Sequence, residues 1–379
     1  MRLKAIALVI PLLLAAGTSK ETTGDPKTQS IMHGIFAPMA VLLPLSFDGD
    51  AFADPKNASV ISKSVDQLRD EMAALTTHAK KRSEAFQFVA ASLERDVVNV
   101  ARLYHAGQFD QSRFVLHNLT ENCVSCHSSL PEAHRFQGAA PIFAAIKKDG
   151  MDDSEVARFL VMSRQFDEAM DVYERLIVPK ATDPVGFGDF LSYLKVAIRV
   201  KHDLKRPQKA MERFIASPSA HQHARQQVTL WLHNLQELDR ADSISKGDLA
   251  SARRIIADGR SRMEFARDPD ALMHYLVASS ILSKLVHEHV DMPRLERAEA
   301  HYLLGVTDSL LDESFWVSRL EFDLETAIRT APEAAFAPKA YAMLEESYLF
   351  GFTGSSGTHL PDDIKKRLND LRVLVEKAR

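Results

Sequence analysis

The stretch Phe114-Val115-Leu116-His117-Asn118-Leu119-Thr120-Glu121-Asn122-Cys123-Val124-Ser125-Cys126-His127 carries apolar residues at helical spacing straight into a pair of cysteines, the only two in the 379-residue chain. On a helix Cys123, Cys126 and His127 stand at i, i+3 and i+4, so all three share one face. The same spacing of apolar positions, at three and four residues, recurs nearly everywhere in the sequence while strand signals are almost absent, which predicts an all-α protein.

Upstream of this stretch the periodicity predicts a first helix from about 28 to 43, with an apolar stripe through Ile31, Met32, Ile35, Met39 and Leu42. Pro38 and Pro44 are expected to kink and end it. The segment 44–57, with Phe47-Asp48-Gly49-Asp50 and Pro55, has the composition of a long connection of turn formers. Helices are predicted over 58–82, over 85–105 up to the Ala106-Gly107 break, and over 110–130, where Pro131 stops the last.

Cys123-Val124-Ser125-Cys126-His127 is the attachment pattern of a c-type haem. Two thiols add across the two vinyl groups of one porphyrin, and the next side chain supplies an imidazole to its iron. A thiol–disulfide redox pair fits less well, because that chemistry sits where a strand runs into a helix, and here helix precedes the motif. A structural zinc site needs four ligands, and the sequence has no second cysteine pair to complete one. The expectation is one covalently attached haem c, with Cys123 and Cys126 as its anchors and His127 as the proximal ligand of the iron.

The chain opens Met1-Arg2-Leu3-Lys4, continues apolar from Ala5 to Leu14 and reaches Ala15-Ala16-Gly17. A basic start, a short apolar run and small residues predict a signal peptide over 1–17 and a periplasmic protein, a location that suits covalent haem attachment. No later run is expected to reach membrane-spanning length. Removing Arg2 and Lys4 takes 47 basic residues to 45 against 51 acidic ones, so the net charge moves from −4 to −6. That argues against nucleic acid as a partner. The remaining roughly 360 residues exceed one typical domain.

Four helices, a long connection between the first two and a haem motif near the end of the fourth resemble the cytochrome c′ family, over a haem domain of 28–136. The resemblance implies a four-helix bundle with the haem inside it. It also places Met32, in Thr28-Gln29-Ser30-Ile31-Met32, where the distal pocket residue lies. In many members that residue is apolar and leaves the iron open to small gases; in low-spin relatives it is a methionine bound to iron. This chain departs from the family after the histidine, where Ser128-Ser129-Leu130-Pro131 stands in place of an aromatic and a basic residue.

Beyond a linker-like stretch from Pro131 to Gly150, the run Phe166-Asp167-Glu168-Ala169, with Tyr173-Glu174 and Leu176-Ile177, resembles the second helix of a tetratricopeptide repeat. A second resemblance lies at Ala298, Tyr302 and Gly305, followed by Leu324-Glu325, Ala327-Ile328 and Pro332. Repeats of this kind stack helical hairpins into a solenoid. A TPR-like α-solenoid is therefore expected over 140–379, with further helices near 186–200, 207–215, 220–238, 248–265, 270–289 and 338–350. Residues 351–357 are expected as a flexible loop, and 362–377 as a capping helix.

Other candidates carry less. His33 sits about 100° around the helix from Met32. Met39, Met72 and His105 are weaker choices for a distal ligand. The pairs His221/His223 and His287/His289 have alternate spacing that puts each pair on different helical faces, so solvated positions are expected. Lys80-Lys81-Arg82 and Lys365-Lys366-Arg367 are expected as exposed faces, the first a docking patch for an acidic redox partner. No Ser/His/Asp set, phosphate loop or carboxylate pair stands out, so the expectation is an electron carrier rather than an enzyme, with a redox partner protein and a protein bound by the repeats. Its rivals are a five-coordinate haem sensor or scavenger of NO or CO, and a structural haem on an assembly adaptor.

Overall fold

The computed structural model describes residues 25–82, 84–129, 152–177, 188–241, 246–265, 268–288, 291–311, 320–355 and 357–378. The signal-peptide expectation over 1–17 and the linker expectation over Pro131 to Gly150 lie outside the described residues.

The protein is all-α. Among the described residues the helices are α1 (Pro26–Phe47), α2 (Gly49–Ala53), α3 (Ala58–Ala79), α4 (Glu84–His105), α5 (Phe109–Ser129), α6 (Asp153–Met162), α7 (Phe166–Ile177), α8 (Gly188–Lys195, prolonged by a π-helical turn over Val196–Val200), α9 (Lys205–Ala216), α10 (Gln222–Arg240), α11 (Leu249–Ser261), α12 (Leu272–Glu288), α13 (Arg294–Leu310), α14 (Leu320–Thr330), α15 (Ala337–Gly351) and α16 (Asp362–Lys377).

Local chemistry sets several of these boundaries. Asp25 caps α1 by accepting from the Lys27 N–H at 3.0 Å, with Pro26 in the first helical turn where its missing N–H costs nothing. Asp152 and Glu155 form a reciprocal capping box at the start of α6, at 2.9 and 3.1 Å. Between α4 and α5, Gly107 takes φ +73°, the Gln108 N–H reaches Leu103 O at 2.9 Å and the Gly107 N–H reaches Tyr104 O at 3.0 Å. This is a Schellman closure, and the positive φ is why glycine stands there. The same pair of bonds closes α6, where Gln165 N–H reaches Leu160 O at 2.8 Å and Arg164 N–H reaches Val161 O at 3.0 Å, but the left-handed position holds Arg164, at φ +60°.

Three sequence expectations are corrected here. Pro38 and Pro44 lie inside α1 and do not end it; the helix runs on to Phe47, and it is Asp48 that turns the chain by capping α2 through its side chain. Tertiary burial of Ile35, Pro38, Met39, Leu42 and Leu43 outweighs the helix bonds that the prolines forfeit. The connection 44–57 is thus partly helical, and Phe52 of α2 is buried edge-on against Tyr104 at 5.5 Å. Within the expected loop, Thr353–Gly354 and Gly357–Thr358 pair as two short antiparallel strands, Thr353 opposite Thr358. Finally, α1 is long and apolar enough to cross a membrane, with mean hydropathy 1.6, so one later run does reach spanning length. In the fold its apolar stripe packs on α3, and its C-terminal half also meets α2 and α5.

Helices α1, α3, α4 and α5 pack each against the next. From α6 onward neighbours in sequence again pack together: α6 on α7, α7 on α8, α9 on α10, α11 on α12, α12 on α13, α13 on α14 and α14 on α15. Gly305 permits the close approach of α13 and α14, since a Cβ there would lie 2.6 Å from Leu324 Cδ2. Several contacts tie the two stretches, among them the following. Helix α6 packs on α5, Phe36 of α1 meets Phe159 of α6 with ring centroids 5.7 Å apart, and Phe88 of α4 meets Phe322 of α14 at 5.5 Å. One apolar core accordingly runs from Ile31 to Leu311, and a second gathers Leu320 to Val375.

Candidate functional site

Helix α5 carries the cysteine motif near its C-terminal end. Cys123 is half-buried and packs against the edge of the large core; the side chain of Cys126 lies outside the described residues. His127, on the same face as Cys123, has its ring Nδ1 within hydrogen-bonding distance of the backbone carbonyl of Met162, the last residue of α6. That carbonyl is an orphan of a helix end, because the chain leaves α6 through the left-handed Arg164 instead of continuing.

A carbonyl accepts only, so the ring proton sits on Nδ1 and donates to Met162 O. The Nε2 lone pair is then left to bind a metal. This is the second contact that orients a ligating imidazole. Burial pushes the His127 imidazole down to about 3, and the Arg164 guanidinium pushes in the same direction, so the ring is neutral across the physiological range. A neutral imidazole with its far nitrogen pinned is what axial ligation of haem iron needs, and the residues present fit the group.

Thr120 lies on the face of α5 that holds His127, and His117 stands further back and around the helix. Together with Phe47 of α1 and Glu155, Arg158 and Met162 of α6 they line a cleft of about 90 Å³. Ser46 Oγ spends its one proton on Leu43 O at 2.8 Å, so its 2.8 Å contact with His117 Nε2 is donated by the ring. His117 also lies against Phe47, with ring centroids 5.3 Å apart. Burial holds its imidazole below the ordinary value, helped by the fields of Arg113 and Arg158. Burial raises the carboxyl of Glu155, which is turned back onto the Asp152 N–H.

The other sequence candidates fall into place as follows. Met32 is half-buried on α1 and packs against the core, while the partner brought to His127 is Met162 of α6. Met39 and Met72 are core residues, at 2% and 1% exposure. His33, His221 and His223 are exposed, and His105 is exposed with Asp66 at 3.1 Å. His287 is half-buried, not solvated, because α12 is covered on most of its faces; His289 lies outside the described residues. Lys80 and Lys81 are exposed, while Arg82 beside them reaches Asp25 at 3.5 Å and covers the Phe86 ring at 5.7 Å. Arg367 likewise turns inward to Glu325, at 3.6 Å, and to Tyr348. Among the described residues no group of three or more His, Cys, Asp or Glu side chains is placed to hold a metal ion.

Sequence reasoning missed His117, Glu155 and Arg158. Helical spacing gives no signal for the first, which stands about 120° around α5 from Cys123 and about 80° from His127. Nothing local announces the other two, since they reach α5 only through the docking of α6. No family model, curated protein or solved structure matches the chain.

Proposed function

We propose that the protein is a periplasmic mono-haem c-type cytochrome that transfers electrons and is not an enzyme. In this reading α1, α3, α4 and α5 form a cytochrome c′-like four-helix haem bundle, and the helices from α6 onward form a TPR-like solenoid that binds a protein partner. The observation that carries it is the hydrogen bond of His127 Nδ1 to Met162 O, on a neutral imidazole directly after the paired cysteines. Bound haem supplies the one-electron couple of its iron.

The residues divide the remaining work. Cys123 and Cys126 fix the macrocycle to α5, and His127 presents Nε2 to the iron. Met162 holds the ring's tautomer and orientation. Apolar burial beside α1 and α6 keeps water from the ligand side and favours the less charged, reduced state. Met32 would be the second protein ligand of the iron, and its soft thioether would raise the potential and close the iron to gases.

The test is covalency. Protein made in a host with c-type maturation is denatured and extracted with acid acetone, and haem should stay with the polypeptide; haem in the organic phase overturns the reading. Cys123→Ala with Cys126→Ala should abolish retention. A visible spectrum then decides between a low-spin carrier and a high-spin site open to carbon monoxide.

A further inference from the structure

Two non-glycine residues among the described ones sit in the left-handed region, His202 at φ +53° and Arg164 at φ +60°. Each stands just past the end of a helix, where a residue without a Cβ fits better. His202 puts its side chain to use: its Nδ1 meets Ser280 Oγ of α12 at 2.6 Å. Arg164 poses the same question of use, because strained backbone collects at working sites.

The corner between α6 and α7 is held firmly. Arg164 N–H reaches Val161 O at 3.0 Å, Gln165 N–H reaches Leu160 O at 2.8 Å, and the buried Ser163 hydroxyl donates to Phe159 O at 2.9 Å. Arg164 follows Met162 by two residues, so the two Cα atoms lie within about 7 Å of each other. Met162 O is the acceptor of His127 Nδ1. The half-buried Arg164 is thereby placed behind the Nδ1 edge of the imidazole, and its charge bears on that ring. Arg164 has a further interaction within the protein, and a guanidinium stays cationic whatever acceptor it meets.

We propose that Arg164 is a positioning residue that sets the reduction potential of the covalently held haem through His127, and that its left-handed backbone serves to hold a cation at this corner. The inference rests on the haem reading above. Reduction takes one electron from the redox partner protein and lowers the charge of the iron by one. A fixed cation behind the imidazole ligand disfavours the more positive, ferric state and so raises the potential. The bond to Met162 O works the other way, since it makes the ring a more basic ligand and favours ferric iron. The corner then carries two opposed settings of one couple, the carbonyl of Met162 and the cation of Arg164, two residues apart.

The experiment is potentiometry on the full-length haem protein with Arg164→Gln, Arg164→Gly, Arg164→Lys and, as a control, Arg175→Gln. Glutamine removes the charge and keeps the strain, glycine removes both, and lysine keeps both. Arg175 is exposed further along α7 and bonded to Asp171 O at 3.1 Å, so its loss changes the net charge equally without touching the corner. Haem per polypeptide should be unchanged in all four. The reduction potential should fall in Arg164→Gln and by a similar amount in Arg164→Gly, and stay near the wild-type value in Arg164→Lys and Arg175→Gln. An Arg164→Gln potential equal to wild type overturns the inference; so does a shift in Arg164→Lys or Arg175→Gln as large as that of Arg164→Gln. Wild-type protein that releases its haem on denaturation overturns the haem reading and this inference with it, whereas retained haem with an unmoved potential overturns the inference alone.

Discussion

The carbonyl oxygen of Met162, left without a helix partner at the end of α6, accepts the Nδ1 proton of His127 on α5. One bond thereby satisfies a helix terminus and sets the tautomer of an imidazole 35 residues earlier in the chain.

Replacing Met32 with alanine should turn a low-spin spectrum high-spin, admit carbon monoxide and lower the midpoint potential. Met32 packs at the edge of the core, so a fall in stability is expected as well, within about 1–3 kcal/mol for a half-buried side chain. Wild-type protein that is already high-spin and binds carbon monoxide would move the function to gas binding.

Arg164 occupies a left-handed position, at φ +60°, that costs an L-residue about 1–2 kcal/mol. Glycine removes that cost but loses about 0.5–1 kcal/mol through the freedom of the unfolded chain. Arg164→Gly should therefore raise stability by up to about 1 kcal/mol in urea unfolding. A lowered midpoint would show that contacts of the arginine side chain outweigh the backbone strain.

The Glu174 carboxylate accepts from Tyr193 Oη at 2.9 Å, Arg206 Nε at 2.6 Å and Arg213 Nη2 at 2.7 Å. Burial alone would raise it, but the bonds from Arg213, Arg206 and Tyr193 outweigh that and hold its carboxyl below the ordinary value. The unfolded state then binds the proton more readily, so the stabilisation is complete above the ordinary glutamate value and is lost as pH falls through the depressed folded value. Glu174→Gln should be less stable than wild type at neutral pH, by about 1–3 kcal/mol, and the gap should narrow as pH falls from the ordinary glutamate value through the depressed folded one. Parallel stability curves for the two proteins would exclude this account.

Gly305→Ala sets a gain of about 1 kcal/mol in helix propensity against the overpacking of a Cβ at 2.6 Å from Leu324 Cδ2 and 2.7 Å from its Cγ. Overpacking of a buried leucine costs about 1–3 kcal/mol, so a net loss is expected, seen as a lower Tm. A higher Tm would mean that Leu324 swings aside freely.

Helical periodicity and the cysteine spacing were legible in the sequence because both are local. The helix over 362–377 and the Ala106-Gly107 break fell where their apolar stripe and their glycine put them. Pro38 and Pro44 misled, since their local cost is set against tertiary burial that a sequence does not display. The orienting carbonyl of Met162 was illegible for a different reason. A backbone oxygen has no residue-type signature, and its approach to His127 depends on how α6 docks across a sequence gap of 35 residues.

The division of apolar contacts has a thermodynamic reading. The large core runs unbroken from Ile31 to Leu311, through the place where the sequence motifs change, and the smaller one begins only at Leu320. Cooperative units follow buried contacts rather than motif boundaries. Helices α1 to α13 should therefore exchange their slowest amide protons at one common free energy, with no step between α5 and α6. Hydrogen exchange would register no seam where the sequence motifs change, because buried contacts cross from α5 to α6 without a gap.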